Sequence, residues 1–252
     1  MANHQRGIQT VELAGEILKL VCGSPKALSL SEIAESMQLA PGSAYKYLVS
    51  LLRTGLLKRN ERTLEFEAGP LSLRMGLAKI RHNKMLHAAQ EALTALGEQY
   101  QVNVFSSVWS AQNGPTVVFY KQAGGFFHIG FRLGIRLSLD RTASGRIFAS
   151  YLEPKLINDY CQRQENLTVS VLEQPELKKI FESIRQKQYS YLTDMPTPGI
   201  QSFAVPVFDE AGQLALCITA FSKTDGLSDE QQQGITFGLQ QIARNLKEQQ
   251  HG

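Results

Sequence analysis

The chain has 252 residues, 43% of them hydrophobic, an ordinary globular composition for one or two domains. No run of about 18 or more apolar residues occurs, so no transmembrane helix is expected, and Met1-Ala2-Asn3-His4-Gln5-Arg6 leads into an amphipathic stretch rather than a secretory signal. The formal net charge of +3 is carried by the first quarter: residues 1–62 hold eight basic and five acidic groups, while the remainder balances 18 against 18, as expected when one domain approaches phosphate and the other does not.

Residues 9–21 place Val11, Ala14, Leu18 and Val21 at helical spacing on one face, and Gly23-Ser24-Pro25 ends that helix. Ser29-Leu30-Ser31-Glu32 reads as a capping box opening a short helix over 31–37, with Ile33 and Ala34 inward. A third helix starts near Pro41, tolerated in a first turn because that amide has no intrahelical partner. It buries Ala44, Leu48, Leu51 and Leu52, and Gly55 ends it. Leu56–Arg59 and Thr63–Glu67 flank the polar turn Asn60-Glu61-Arg62 and read as a β-hairpin.

Three helices followed by a basic-tipped hairpin form the plan of a winged helix-turn-helix. In such a domain the start of the third helix lies along base edges in the major groove. Here that start carries Gly42, Ser43, Tyr45 and Lys46, and the hairpin adds Arg59 and Arg62. Lys46 can reach phosphate or guanine. The competing interpretation is a small helical domain whose polar residues only solvate it.

Gly69-Pro70 breaks the hairpin, and Leu71, Leu73, Met75, Leu77 and Ile80 crowd the next stretch, a linker helix or a buried intramolecular one. Residues 83–100 form a helix with Leu86, Ala89, Leu93 and Leu96 on one face. The period then changes: Val102–Trp109, Thr116–Lys121 and Phe127–Leu133 are β-rich runs between Gly- and Pro-containing turns. A helix follows Thr142-Ala143-Ser144-Gly145-Arg146 through Tyr151, and another occupies about 174–188. Strands Gln201–Phe208 and Gln213–Ala220 precede a closing helix from Ser228, whose capping partner is Gln231 and whose inward face is Ile235, Leu239, Ile242 and Leu246. The expected fold class is α+β, a winged helix-turn-helix followed by a mostly antiparallel sheet covered by helices. The expected domain boundaries are 1–69 for the helix-turn-helix part, 70–82 for a connecting helix and 83–252 for the α+β part.

No catalytic or metal-binding constellation stands out. The five histidines form no HExxH, and there is no GxSxG or phosphate-binding lysine loop. Cys22, Cys161 and Cys217 are far apart without CxxC spacing, which argues against a disulfide framework or zinc ribbon and fits a reducing cytoplasm. Cys161 and Cys217 read as small buried hydrophobes. No catalytic residue, metal or cofactor is expected.

The segments Gly7-Ile8-Gln9-Thr10-Val11-Glu12, Leu28-Ser29-Leu30-Ser31-Glu32-Ile33-Ala34 and Leu48 to Leu57 resemble the opening of the IclR family of bacterial transcriptional regulators. The resemblance continues over nearly the whole chain, and implies DNA binding, a linker helix packed between subunits, and a GAF-like second domain that binds an effector. Two stretches resemble the family's effector pocket: Gly134 to Arg146, and Thr197 to Val207. On that resemblance Leu137, Thr142, Ala143, Ser144, Gly145, Ile200 and Ser202 are the expected effector-binding residues. Physical chemistry agrees, because a helix start at Thr142–Gly145 presents amides to an anion. Arg132, Arg136, Arg141 and Arg146 crowd the same stretch as candidate partners for that anion. The chain departs from the family at Pro41-Gly42-Ser43, where Lys-Ser-Thr is usual, and at Ser138, Asp140 and Arg146, where Pro, His and Lys are frequent. The expected partners are a double-stranded DNA operator, a small carboxylate effector and further copies of the chain in a homodimer or homotetramer. The alternatives are an architectural DNA binder without effector, or an enzyme with an accessory helix-turn-helix.

Overall fold

A computed structural model describes residues 7–81, 83–110, 113–124, 131–163 and 170–248. The chain divides into two compact units, Met1–Asn83 and Lys84–Gly252. In the first, α1 (Gln9–Gly23), α2 (Leu30–Ser36) and α3 (Pro41–Arg53) pack around Ile17, Val21, Ile33, Leu48 and Leu51. The hairpin of β1 (Leu57–Arg59) and β2 (Phe66–Ala68) closes this core with Leu57 and Phe66, and α4 (Pro70–Arg81) follows.

Local chemistry explains the boundaries. The Ser29 hydroxyl accepts the Glu32 amide at 3.2 Å and the Glu32 carboxylate accepts the Ser29 amide at 2.8 Å, completing the capping box. Pro41 occupies the first turn of α3, and Gly55, at φ +76°, follows its end. At the hairpin, the Asn60 carboxamide oxygen accepts the amides of Arg62 and Thr63, an Asx turn that fixes the tip.

The second unit holds an antiparallel sheet of order β4-β3-β7-β6-β5. Its strands are β3 (Asn103–Ser110), β4 (Gly114–Lys121), β5 (Ser190–Thr193), β6 (Ile200–Phe208) and β7 (Leu214–Lys223). Helices α5 (Lys84–Tyr100) and α9 (Asp229–Glu248) cover one face. Helices α6 (Ala143–Tyr151), α7 (Pro154–Gln162) and α8 (Pro175–Lys187) build a core on the other around Ile147, Phe148, Ile157 and Phe181. Leu86, Ala89, Leu93 and Leu96 of α5 are all buried, as their spacing predicts. Burying each such Leu contributes ~1.5–3 kcal/mol. Ser228 and Gln231 cap α9 reciprocally, and Ile235, Leu239 and Leu246 are buried, with Ile242 partly so.

Several expectations are corrected. Ile17 and Val21 are buried in α1, whereas Val11 is 65% exposed, because the first turn of α1 extends past the core of its unit. Phe127–Leu133 is not a strand over 131–133, and 127–130 lie outside the described residues. Instead, residues 134–137 run along β4: Gly134 donates to the Val117 carbonyl, Val117 to Ile135, and Leu137 to Pro115. Helix α7 and strand β5 were not anticipated.

Candidate functional site

Two regions carry chemistry. In the first unit, the left-handed Gln38 (φ 52°) turns the chain between α2 and α3, and Leu39 donates to the Ala34 carbonyl at 2.9 Å. Helical periodicity then splits α3. Ala44 and Leu48 are fully buried, while Ser43, Tyr45 and Lys46 face outward. Arg59 is anchored to the wing: its Nε donates to the Leu64 carbonyl at 3.1 Å and its guanidinium lies 5.5 Å from the Phe66 ring centre. Arg62 is exposed at the tip, and Lys58 pairs with Glu67 at 3.0 Å. This face offers exposed donors of the kind that bind phosphates and base edges.

In the second unit a cavity of about 340 Å³ opens between the start of α6, the 195–202 segment and the sheet. Leu137, Thr142, Ala143, Ser144, Ile200 and Ser202 line it. So do Phe105, Phe131, Ile135, Arg136, Met195, Pro196, Thr197, Thr219 and Phe221. Ser202 lies within β6, paired with both Leu192 and Phe221, and its hydroxyl reaches the Leu192 carbonyl at 3.4 Å. Gly145 does not line the cavity, and its amide is already taken by the Thr142 hydroxyl at 3.0 Å. That same hydroxyl donates to the Ser138 carbonyl at 2.6 Å, locking the loop to the helix start. Among the described residues the amides of Ala143 and Ser144 have no acceptor, and both residues line the cavity, so the positive end of α6 lies at its wall.

Of the four neighbouring arginines only Arg136 lines the cavity. Arg146 donates from Nε to the Asp140 carbonyl at 2.7 Å; burial lowers its pKa and the Asp140 charge partly offsets that. Arg132 and Arg141 are exposed. Beneath the start of α6, the Ser144 and Ser107 hydroxyls meet at 2.7 Å, and Cys217 lies 3.8 Å from Thr219. Burial pushes the Cys217 thiol up to about 11, so it is no nucleophile. Among the described residues no cluster of His, Cys, Asp and Glu could hold a metal, and no helix is long and apolar enough to cross a membrane. Two open grooves, of about 270 and 400 Å³, lie along α9 on the opposite face of the sheet.

The aromatic wall and Thr219 escaped sequence reasoning. Phe105, Phe131, Thr219 and Phe221 are scattered in sequence, and only strand register brings three of them side by side. The alternation within each strand was the available signal, but it could not say which strands are neighbours.

The pattern of the IclR helix-turn-helix domain matches residues 10–61, and that of the bacterial transcriptional regulator IclR C-terminal domain matches residues 78–248. The chain belongs to the IclR family. The transcriptional regulator BhcR of Paracoccus denitrificans is 28% identical over 250 residues, covering 97% of this chain and 88% of its own. An IclR regulator structure from Alicyclobacillus acidocaldarius superposes with a TM-score of 0.80 at 19% identity, covering 96% of this chain and 98% of that one. An IclR homologue from Microbacterium hydrocarbonoxydans, solved with 4-hydroxybenzoate, gives 0.77 at 14% identity, covering 94% and 97%. The curated relatives are named as transcriptional regulators, and this IclR chain is a DNA-binding regulator rather than an enzyme.

Proposed function

We propose that this IclR-type regulator binds a two-fold operator as a homodimer or homotetramer, and that a small organic carboxylate in the second-unit cavity changes its DNA affinity. Ser43, Tyr45 and Lys46 read the major groove, and Arg59 and Arg62 hold the wing to the backbone. Leu137, Thr142, Ala143, Ser144, Ile200 and Ser202 surround the effector, with Gly145 keeping the α6 start tight against its loop. The observation that carries the effector reading is a largely apolar cavity walled in part by a helix start with two unspent amides. That is the arrangement that holds a carboxylate on an apolar body. The complex of the Microbacterium homologue with 4-hydroxybenzoate supports the same class of ligand.

An effector acts only through its differential affinity for two states of the protein. The test begins with duplexes selected from a random pool by the full chain, and measures their affinity across salt with and without a panel of carboxylic acids. Lys46→Ala is expected to weaken binding and to lower the log–log salt slope by about 0.9 if the lost contact is to phosphate. At least one acid is expected to shift DNA affinity. Unchanged affinity and slope in Lys46→Ala would remove α3 as the reading helix, and a panel without effect would remove the effector.

A further inference from the structure

At the tip of the hairpin between β1 and β2, one residue has a backbone conformation that its side chain disfavours. Residues 61–64 turn the chain: the Asn60 amide donates to the Glu65 carbonyl and the Leu64 amide to the Asn60 carbonyl, both at 2.9 Å. The loop leaves its last residue in the left-handed region, where Leu64 has φ 61°. Glycine or asparagine adopts that conformation at little cost, whereas the Cβ and branched body of leucine crowd the backbone there. Among the described residues the other left-handed positions outside glycine are Gln38, Gln101, Gln188 and Asp194, all of them polar.

The fold makes no use of the side chain that causes this strain. The backbone of Leu64 is engaged on both sides, its carbonyl accepting from Arg59 Nε at 3.1 Å. The side chain is 52% exposed and lies outside the core that Leu57 and Phe66 close. A strained position whose side chain has no packing role points to a contact outside the chain.

Charge alone gives this hairpin little hold on phosphate. Residues 58–67 set Lys58, Arg59 and Arg62 against Glu61, Glu65 and Glu67, three basic groups against three acidic ones. Lys58 is paired with Glu67 at 3.0 Å, and Arg59 is tied to the hairpin through Leu64 and Phe66. Yet the hairpin shares its core with Leu48 and Leu51 of α3, and Arg62, two residues before Leu64, is exposed at the same tip. DNA offers carbon as well as charge, on its sugars, and Leu is among the side chains that DNA-binding proteins press against it.

Building on the reading of α3 as the helix that enters the major groove, we propose that Leu64 is an apolar DNA contact, packed on deoxyribose of the operator beside the bases that α3 reads. Arg59, bonded to the Leu64 carbonyl, fixes the tip that carries it.

The affinity of the full chain for its selected duplexes, measured across salt for Leu64→Gly, Leu64→Asn and Leu64→Met, tests this. Leu64→Gly and Leu64→Asn both suit the left-handed conformation, so both are expected to melt at or above the wild-type temperature. Both are expected to bind about tenfold more weakly, through lost apolar burial, with an unchanged log–log salt slope because no phosphate contact is lost. Leu64→Met, which restores an apolar body, is expected to keep wild-type affinity. Wild-type affinity in Leu64→Gly or Leu64→Asn, beside a weakened Lys46→Ala, would overturn this contact and leave α3 as the reading helix. A weakened affinity accompanied by a lower melting temperature would assign Leu64 to the fold and overturn it as well. So would a reduced salt slope, a Leu64→Met variant as weak as Leu64→Asn, or a change of assembly state without DNA, which would place Leu64 between two copies of the chain.

Discussion

At Gly145 a Cβ would overlap the Ser138 carbonyl oxygen and lie 2.7 Å from Thr142 Oγ1. The loop that seats the helix start is pressed against the helix backbone, and only glycine allows it. Gly145→Ala is therefore expected to destabilise the second unit by about 1–3 kcal/mol, the usual cost of overpacking. Thermal or urea denaturation measures it, and wild-type stability in the variant would contradict the close approach. The cysteines give a second prediction at this scale. Cys22 is exposed, whereas Cys161 and Cys217 are buried and burial holds the Cys217 thiol at about 11. One of the three thiols is expected to react with a thiol reagent in the native chain, and all three after denaturation. Prompt reaction of more than one would mean that the sheet interior opens readily.

Among the elements, α2 has its energetics written most openly in the sequence. The Glu32 carboxyl is held down to about 2, first by the Lys26 ammonium at 2.7 Å and then by the amide and hydroxyl of Ser29. A carboxyl whose folded pKa is depressed adds stability above its ordinary value of 4.5, and loses it as pH falls toward 2. Glu32→Gln is expected to lower stability above that value and to converge on wild type at the acid end, as followed by urea unfolding of the first unit. A constant difference across the window would assign the effect to packing rather than charge. Because the pair is exposed, salt should shrink the difference. Ser29→Ala is expected to cost ~1 kcal/mol where Glu32 is ionised, and less as pH falls toward 2, because the Ser29 hydroxyl also donates to the Glu32 carboxylate.

The same level shows what was legible. Both capping boxes and the buried faces of α5 and α9 could be read directly, because long amphipathic helices have one self-consistent stripe. Helix α1 offers two overlapping stripes, Val11–Ala14–Leu18–Val21 and Ala14–Ile17–Val21, and only tertiary packing chose the second. Strand β5 has four residues, too few for alternation to stand out, and α7 is a nine-residue helix opened by Glu153-Pro154. For the cavity, residues near α6 were legible through local motifs and family resemblance. Its aromatic end depends on pairing between β3 and β7, which lie more than a hundred positions apart in the chain.

At the scale of the whole molecule, charge and exposed apolar surface both concentrate in the first unit. Ile8 and Val11 at the start of α1 are 68% and 65% exposed, and Leu73, Met75 and Leu77 on α4 are 48% exposed or more. Scattered apolar residues need no explanation, and these five, exposed on α1 and α4 of one small unit, are the ones that the proposed dimer would cover. A single helix-turn-helix covers too little DNA for tight specific binding, and a two-fold pair over paired half-sites is the usual solution. The proposed dimer therefore buries these residues between two first units. Val11→Glu combined with Leu73→Glu would place like charges around a two-fold axis, where each copy meets the other's. Both positions are exposed in the single chain, so folding should survive, as circular dichroism would show. Sedimentation velocity is expected to find the wild type as a dimer or larger and the double variant one step smaller, with loss of binding to the selected operator. A wild type that sedimented as a monomer at micromolar concentration would rule out this interface, as would a double variant that kept both its assembly and its DNA affinity.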